Sequence, residues 1–298
     1  MAVTRGNLKF WAVLIVSLCL SVMIIVVKRN VSSSAMISES HSVIRLTQDS
    51  LYAMYGEGDF SEYDEHLLNY IRSQMSRQSP GGLHLSDPSR PDYSQFGAPP
   101  FVDRILKKRQ NGFFVECGAL DGERFSDTLY FEMKRNWTGL LIEAHPKHHR
   151  DILKKNRRAL VLWGCLYTVR RPAMVNFKLD GVYSGISAHN IHSKKYEKEP
   201  VSETYVECFS LNSVMAAIGV HHVDYMVLDV EGAELSVLET IDFTRLSFDV
   251  LSIEYSGNAS RLNCLRQFFN RICCYKEVGK VPERAKDSKG HDVVLMRV

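Results

Sequence analysis

The 298-residue sequence predicts an α/β domain built on a mostly parallel sheet, preceded by an apolar segment. Three observations predict it. After Phe101, short apolar runs alternate with helical patterns, as in a parallel sheet covered on both faces. The last two strand-like runs, 274–278 and 292–298, leave no room for a helix between them, so an antiparallel C-terminal edge is expected. Near the start, residues 10–27 carry no charge at all. A composition of 45% hydrophobic and 24% charged residues is that of a globular chain, and a net charge of +3 is too small to imply a nucleic-acid partner.

Residues 10–27 (FWAVLIVSLCLSVMIIVV) give about 27 Å of helix. Lys9 and Lys28 can snorkel to complete the roughly 30 Å hydrocarbon core, and Trp11 lies at an interface depth. A cleaved signal peptide would have a shorter apolar run and a small-residue cleavage site. Here the run exits into Val26-Val27-Lys28-Arg29, which favours an uncleaved signal-anchor behind a short cytosolic tail, 1–9. Arg5 and Lys9 nearly balance Lys28 and Arg29, so the short leading tail decides the orientation: tail in the cytosol, domain in the lumen. Sequons at Asn30, Asn136 and Asn258 agree with that side. Outside the apolar segment six cysteines remain, enough for up to three disulfides, with buried free thiols as the alternative. No Cys-x-x-Cys occurs, so no metal site is expected.

Residues 28–100 are polar and broken by Pro80-Gly81-Gly82 and Pro99-Pro100, and read as a stalk. Within it, Ser61 and Asp64 resemble a capping box. Leu67, Leu68, Ile71 and Met75 then recur at helical spacing, predicting one amphipathic helix over about 61–78 that packs on the domain.

In the domain, 101–298, strands are expected at 113–117, 138–143, 159–164, 225–229 and 250–254. Helices are expected at 127–135, 146–155, 211–218 and 234–241. Residues 169–209 break the alternation and read as an insertion over the ligand edge, with strand-like pieces at 175–179 and 204–209. Ligands of such sheets bind at the C-terminal strand ends. The first strand ends in Glu116-Cys117-Gly118-Ala119-Leu120-Asp121-Gly122, where glycines allow a tight turn and close backbone approach. The second ends in Glu143, an acidic group able to accept two ribose hydroxyls. The fourth opens into Asp229, Glu231 and Glu234 around Gly232, three carboxylates that are costly to cluster without a cation or donor ligand.

Together, residues 113–122 (FFVECGALDG), 138–146 (TGLLIEAHP) and 224–234 (DYMVLDVEGAE) resemble the FkbM-type methyltransferase domain, from Phe113 to the C-terminus. The resemblance implies a Rossmann-like class I methyltransferase sheet of seven strands that binds S-adenosylmethionine. Glu116, Gly118 and Gly122 would line the methionine end, with Ala119 and Asp121 also in the cofactor site, Glu143 would hold the ribose, and Asp229 and Glu231 would face the sulfonium or the acceptor. It also implies methylation of a hydroxyl oxygen on an unknown acceptor. The anchor and stalk are similar to one branch, the Star family of membrane proteins. Those are associated with moving protein cargo from the endoplasmic reticulum through the Golgi and with endosomes.

Asp229, Glu231 and His145 are the candidate catalytic bases. His145, His148 and His149 read as surface histidines, and the cluster Lys154, Lys155, Arg157 and Arg158 as a solvated helix end. A non-catalytic luminal escort is the competing reading. A nucleotide-sugar transferase is set aside because no Asp-x-Asp motif is present.

Overall fold

The computed structural model describes residues 61–77, 81–190, 202–272, 274–282 and 291–298. The expected membrane segment, 10–27, lies outside them, and no described helix is long and apolar enough to cross a membrane. Along the chain run α1 (Glu65–Ser73), β1 (Met75–Ser76), α2 (Ala98–Ile105), β2 (Phe113–Cys117), α3 (Leu129–Arg135), β3 (Thr138–Glu143), α4 (Pro146–Lys154) and β4 (Leu160–Trp163). Then come β5 (Cys165–Leu166), β6 (Ala173–Leu179), β7 (Gly185–Ile186), β8 (Ser202–Phe209), α5 (Leu211–Ile218), β9 (His222–Leu228), α6 (Glu234–Leu238), β10 (Ser247–Glu254), α7 (Ala259–Arg271), β11 (Tyr275–Val281) and β12 (Asp292–Arg297).

The main sheet has eight strands, in the order β1-β4-β3-β2-β9-β10-β12-β11. The five central strands, β4 to β10, are parallel. β12 and β11 are antiparallel, as the short 274–298 spacing implied. The expectation of seven strands is corrected by β1, which pairs antiparallel with β4 from within the segment read as a stalk. Alternate residues of the central strands divide between two cores. Val115, Leu140, Met226 and Leu251 pack under α1, α5, α6 and α7. Phe114, Leu141, Tyr225 and Val250 pack with Phe101, Phe131, Trp137 and Ile152 from the other face. Two buried faces explain why these strands read as continuous apolar runs.

The domain's packing therefore begins well before Phe101. Asp64 alone caps α1, accepting from His66 N–H and Leu67 N–H, so the helix is shorter than the expected 61–78. Leu67 and Ile71 are fully buried. Pro99-Pro100 do not end a spacer but open α2, where their missing N–H groups cost nothing. The 169–209 insertion joins β5 to form a separate four-stranded sheet, β5-β8-β6-β7. A disulfide between Cys165 and Cys208 ties its parallel pair together.

Candidate active site

The C-terminal ends of β3, β2, β9 and β10 and the N-terminal end of β12 meet at one cavity of about 320 Å³, also lined by Phe177, Tyr183 and Ile186 of the insertion. Its size is at the lower end of small-molecule sites. Glu116, Gly118, Glu143, Asp229 and Glu231 all line it. Ala119, Asp121, Gly122 and His145 do not.

Gly118 is there because nothing larger fits. Its φ is +82°, and a Cβ would come within 2.0 Å of the Asp229 carbonyl oxygen. The first strand's turn thus lies directly on the β9 tip. Gly122 packs against Ile152, and Asp121 accepts from the N–H groups of Glu123 (2.9 Å) and Arg124 (2.7 Å), so both shape the turn from behind. Glu116 is buried and fully engaged: its carboxylate accepts from Ser126 Oγ (2.8 Å), Asp127 N–H (2.8 Å) and Thr128 Oγ1 (2.6 Å). Burial nonetheless raises its pKa, opposed by the nearby Arg157 guanidinium. Glu116 therefore fixes the turn that starts α3.

Glu143 accepts from Leu120 N–H and His145 N–H, each at 2.7 Å, and burial pushes its carboxyl up to about 8. His145 caps α4 through Nδ1, which accepts from Lys147 N–H, and stacks on His148 with ring centroids 4.1 Å apart. That capping duty turns it out of the cavity. His148 corrects the expectation of surface histidines: it is buried and lines the cavity, with burial lowering its pKa to about 4. His149 stacks on Trp163 and is lowered to about 4 by burial as well.

Oxygens of Asp229, Glu231 and Glu254 lie within 4.8 Å of one another. Among the described residues, Asp229 Oδ1 and Glu254 Oε2 are buried without a hydrogen-bond partner. Burial first, then neighbouring carboxylates, raises all three: Asp229 well above its ordinary range, Glu231 to about 9 and Glu254 to about 7. Glu234, the third acid of the sequence cluster, instead braces the turn. It accepts from Val230 N–H (3.1 Å) and Gly232 N–H (3.0 Å) and pairs with Arg261.

Asp127, Glu254 and Asp292 line the cavity and were not foreseen. Glu254 ends an apolar strand, the same signal that marked Glu143. Asp292 starts a strand, and reaches this rim only because β12 runs antiparallel, opposite Glu254. Asp127 carries no local signal.

These features define an α/β fold with a carboxyl-lined pocket at the strand tips, where such sheets bind their ligands. The methyltransferase FkbM domain model matches residues 116–280, and the chain belongs to that family. S-adenosylmethionine is accordingly its cofactor. The solved FkbM methyltransferase from Methylobacillus flagellatus is 14% identical, with a TM-score of 0.37 over 62% of this chain and 43% of that one. This chain thus covers less than half of that protein's length. Precorrin-6y C5,15-methyltransferase from Geobacter metallireducens is 11% identical (TM-score 0.34; 67% and 87% covered). An O-methyltransferase from Bacillus cereus, in complex with SAH, is 13% identical (TM-score 0.35; 85% and 98% covered). No curated protein matches the sequence, and no match supports the Star-like branch.

The residues present fit the cofactor. Gly118 is exposed at the cavity and would face the methionine end, and Glu143, at the cavity wall, would hold the ribose. The two unpartnered oxygens of Asp229 and Glu254 suit a cationic sulfonium.

Proposed function

We propose that the protein is a membrane-anchored O-methyltransferase whose Asp229–Glu254 pair takes the proton from a hydroxyl acceptor. The observation that carries it is the trio of carboxyls converging within 4.8 Å at the β9 and β10 tips, with two buried oxygens unsatisfied. S-adenosylmethionine supplies an activated methyl group. The chain's part is to position it and to hold a base beside the acceptor oxygen. Glu254, raised to about 7, can both accept and release a proton near neutral pH. Asp229, raised by burial and by the neighbouring Glu254, stands beside it as the second member of the pair. Glu143 and the Gly118 turn orient the nucleoside. His145, turned away to cap α4, has no part in the proton transfer.

The test uses the full chain in detergent with methyl-labelled donor and a luminal extract. An alkali-stable ether is the expected product. Glu254→Gln should lower turnover roughly 10²–10⁴-fold while leaving S-adenosylhomocysteine affinity within a few-fold. Turnover of the unaltered chain should rise with pH through about 7. An alkali-labile product would mean a carboxyl acceptor, and unchanged turnover in the variant would remove Glu254 as base.

The same reading places the domain in the secretory lumen, tethered by residues 10–27 as a type II protein. The Cys165–Cys208 disulfide favours an oxidising compartment, and Asn136 and Asn258 are exposed for glycosylation. Loss of mass on glycosidase treatment of the cell-made chain is expected; an unglycosylated chain would place the domain in the cytosol. A cargo escort without catalysis would give donor binding but no labelled product from any extract.

A further inference from the structure

Carboxyl groups line much of the cavity, and among the described residues no lysine or arginine does. One polar side chain on its wall has no duty in the account so far. His148 lines the cavity and is only 9% exposed, on the buried face of α4 one turn before Ile152. Among the described residues its ring nitrogens have no hydrogen-bond partner. The ring instead stacks on His145, with the two planes 22° apart. Burial, and then the charges of His145, Lys147 and Arg124, hold it neutral with a pKa of about 4, while Asp121 pulls the other way. A neutral imidazole carries one donor and one acceptor. Burying both unanswered costs stability that a bound ligand restores.

The part of a bound nucleoside that reaches His148 follows from the sheet order. The carboxyl trio stands at the tips of β9 and β10, Gly118 follows β2, and Glu143 ends β3. Next in the sheet comes β4. A donor laid along this row, with its sulfonium at the trio and its ribose at Glu143, carries its base on toward β4. α4 starts just after β3 and packs on both β3 and β4. His148, in its first turn, therefore stands at the base end of the row. Leu120, Ile142 and Leu166 line the same cavity. Such apolar groups suit the flat faces of a purine, and an imidazole suits its polar edge. The neighbouring His149 does not line the cavity and stacks on Trp163.

We propose that His148 holds the purine base of the donor by hydrogen bonding to the base edge, and that His145 positions it. His145 is pinned as the cap of α4 through Nδ1, and its ring lies flat on His148. The histidine expected from sequence to be a catalytic base thus sets the plane of the imidazole that meets the nucleoside. The choice of the base, rather than another part of the donor, rests on the placement of the ribose at Glu143.

NMR of the full chain in detergent, with ¹⁵N-labelled histidine, tests it. The probe is 5′-methylthioadenosine, and 5-methylthioribose, which lacks the base, is the control. The His148 ring signals, identified by their loss in His148→Gln, should shift with the nucleoside and stay in place with the sugar. By calorimetry, His148→Phe, which keeps a flat ring without nitrogens, should bind the nucleoside at least tenfold more weakly. His148→Gln, which keeps a donor and an acceptor, should stay within about threefold. His145→Asn keeps the cap but removes the stacked ring, and should weaken binding by about two- to fivefold; unchanged affinity there removes His145 as the positioning residue. Unmoved His148 signals with the nucleoside bound overturn the proposal, as does undiminished affinity in His148→Phe. A shift caused by the sugar alone overturns it too, by putting His148 at the ribose. If the nucleoside does not bind the unaltered chain, the proposal falls together with the donor site. If it binds and moves His148 while Glu143→Gln leaves affinity unchanged, the ribose placement fails and the base contact stands. The signals of the unaltered chain decide the matter should the phenylalanine variant fail to fold.

Discussion

Arg157 is wholly buried and holds together the turn behind the site. Its Nε pairs with Glu132 at 2.8 Å, and its other nitrogens reach Gly122 O, Ser126 Oγ and Thr128 Oγ1. The same hydroxyls bind Glu116, so one guanidinium balances two buried acids. Arg157→Met should therefore cost about 3–5 kcal/mol by leaving Glu132 uncompensated, read as a fall in the denaturation midpoint. A loss under 1 kcal/mol would mean the pair relaxes into solvent. Nothing in the sequence hints at this burial: Arg157 sits in a basic run that reads as a solvated helix end, and Lys154 does face water there. Lys155 pairs with Glu123, and Arg158 binds Asn136 and the Glu132 carbonyl. Only the path of the chain after α4, turning back under α3, separates these neighbours. By contrast Glu116, Glu143 and Asp229 were legible as residues, because an apolar run that stops on an acid marks the tip of a buried strand.

At the scale of elements, the inserted sheet depends on a covalent tie. Cys165 and Cys208 are 43 residues apart in sequence and face each other across the β5–β8 pair. The chain-entropy model gives such a loop roughly 4 kcal/mol. Cys208→Ala should lose about 2–4 kcal/mol, and because Cys165, Leu166 and Phe177 line the cavity, S-adenosylhomocysteine affinity should fall with it. Unchanged stability under reductant would show that packing alone holds the sheet. The insertion was legible as a break in strand–helix alternation. Its pairing was not, since six cysteines permit many connectivities. Short elements escaped for a related reason: β1 has two residues, too few for any periodicity, and exists only because β4 offers an edge. α7 was also missed, although Asn258 caps it by accepting from Ser260 N–H and Arg261 N–H; the same asparagine had drawn notice only as a sequon.

Across the whole molecule, buried ionisable groups set a stability profile. Glu143, Glu231, Glu254 and Asp292 have folded-state values of about 8, 9, 7 and 7, all above their unfolded ones. Folding retains their protons, so the stability they contribute is present at low pH and is lost as pH rises through those values. His148 and His149, lowered to about 4, act oppositely: their contribution is lost as pH falls below the ordinary histidine range. Because the unfolded carboxyls ionise near about pH 4 and four acids outweigh two histidines, the ligand-free melting temperature should be highest at about pH 4–5 and decline toward about pH 9. A flat alkaline limb would show that these acids are already ionised and satisfied. The parallel sheet, its antiparallel C-terminal edge and the rim were legible from chain pattern because parallel strands put every C-terminal end on one side. What was not legible is which acids the antiparallel edge and the α3 turn would add to that rim.

The absence of any lysine or arginine among the described cavity walls has a kinetic corollary. Methyl transfer removes a positive charge from the nucleoside at the moment a wall carboxylate gains a proton, so the contents stay balanced before and after. The spent nucleoside leaves a neutralised wall rather than an attractive one. Turnover should thus be weakly self-inhibited, with S-adenosylhomocysteine held less tightly than the charged donor at pH 8, a comparison that equilibrium dialysis can make directly.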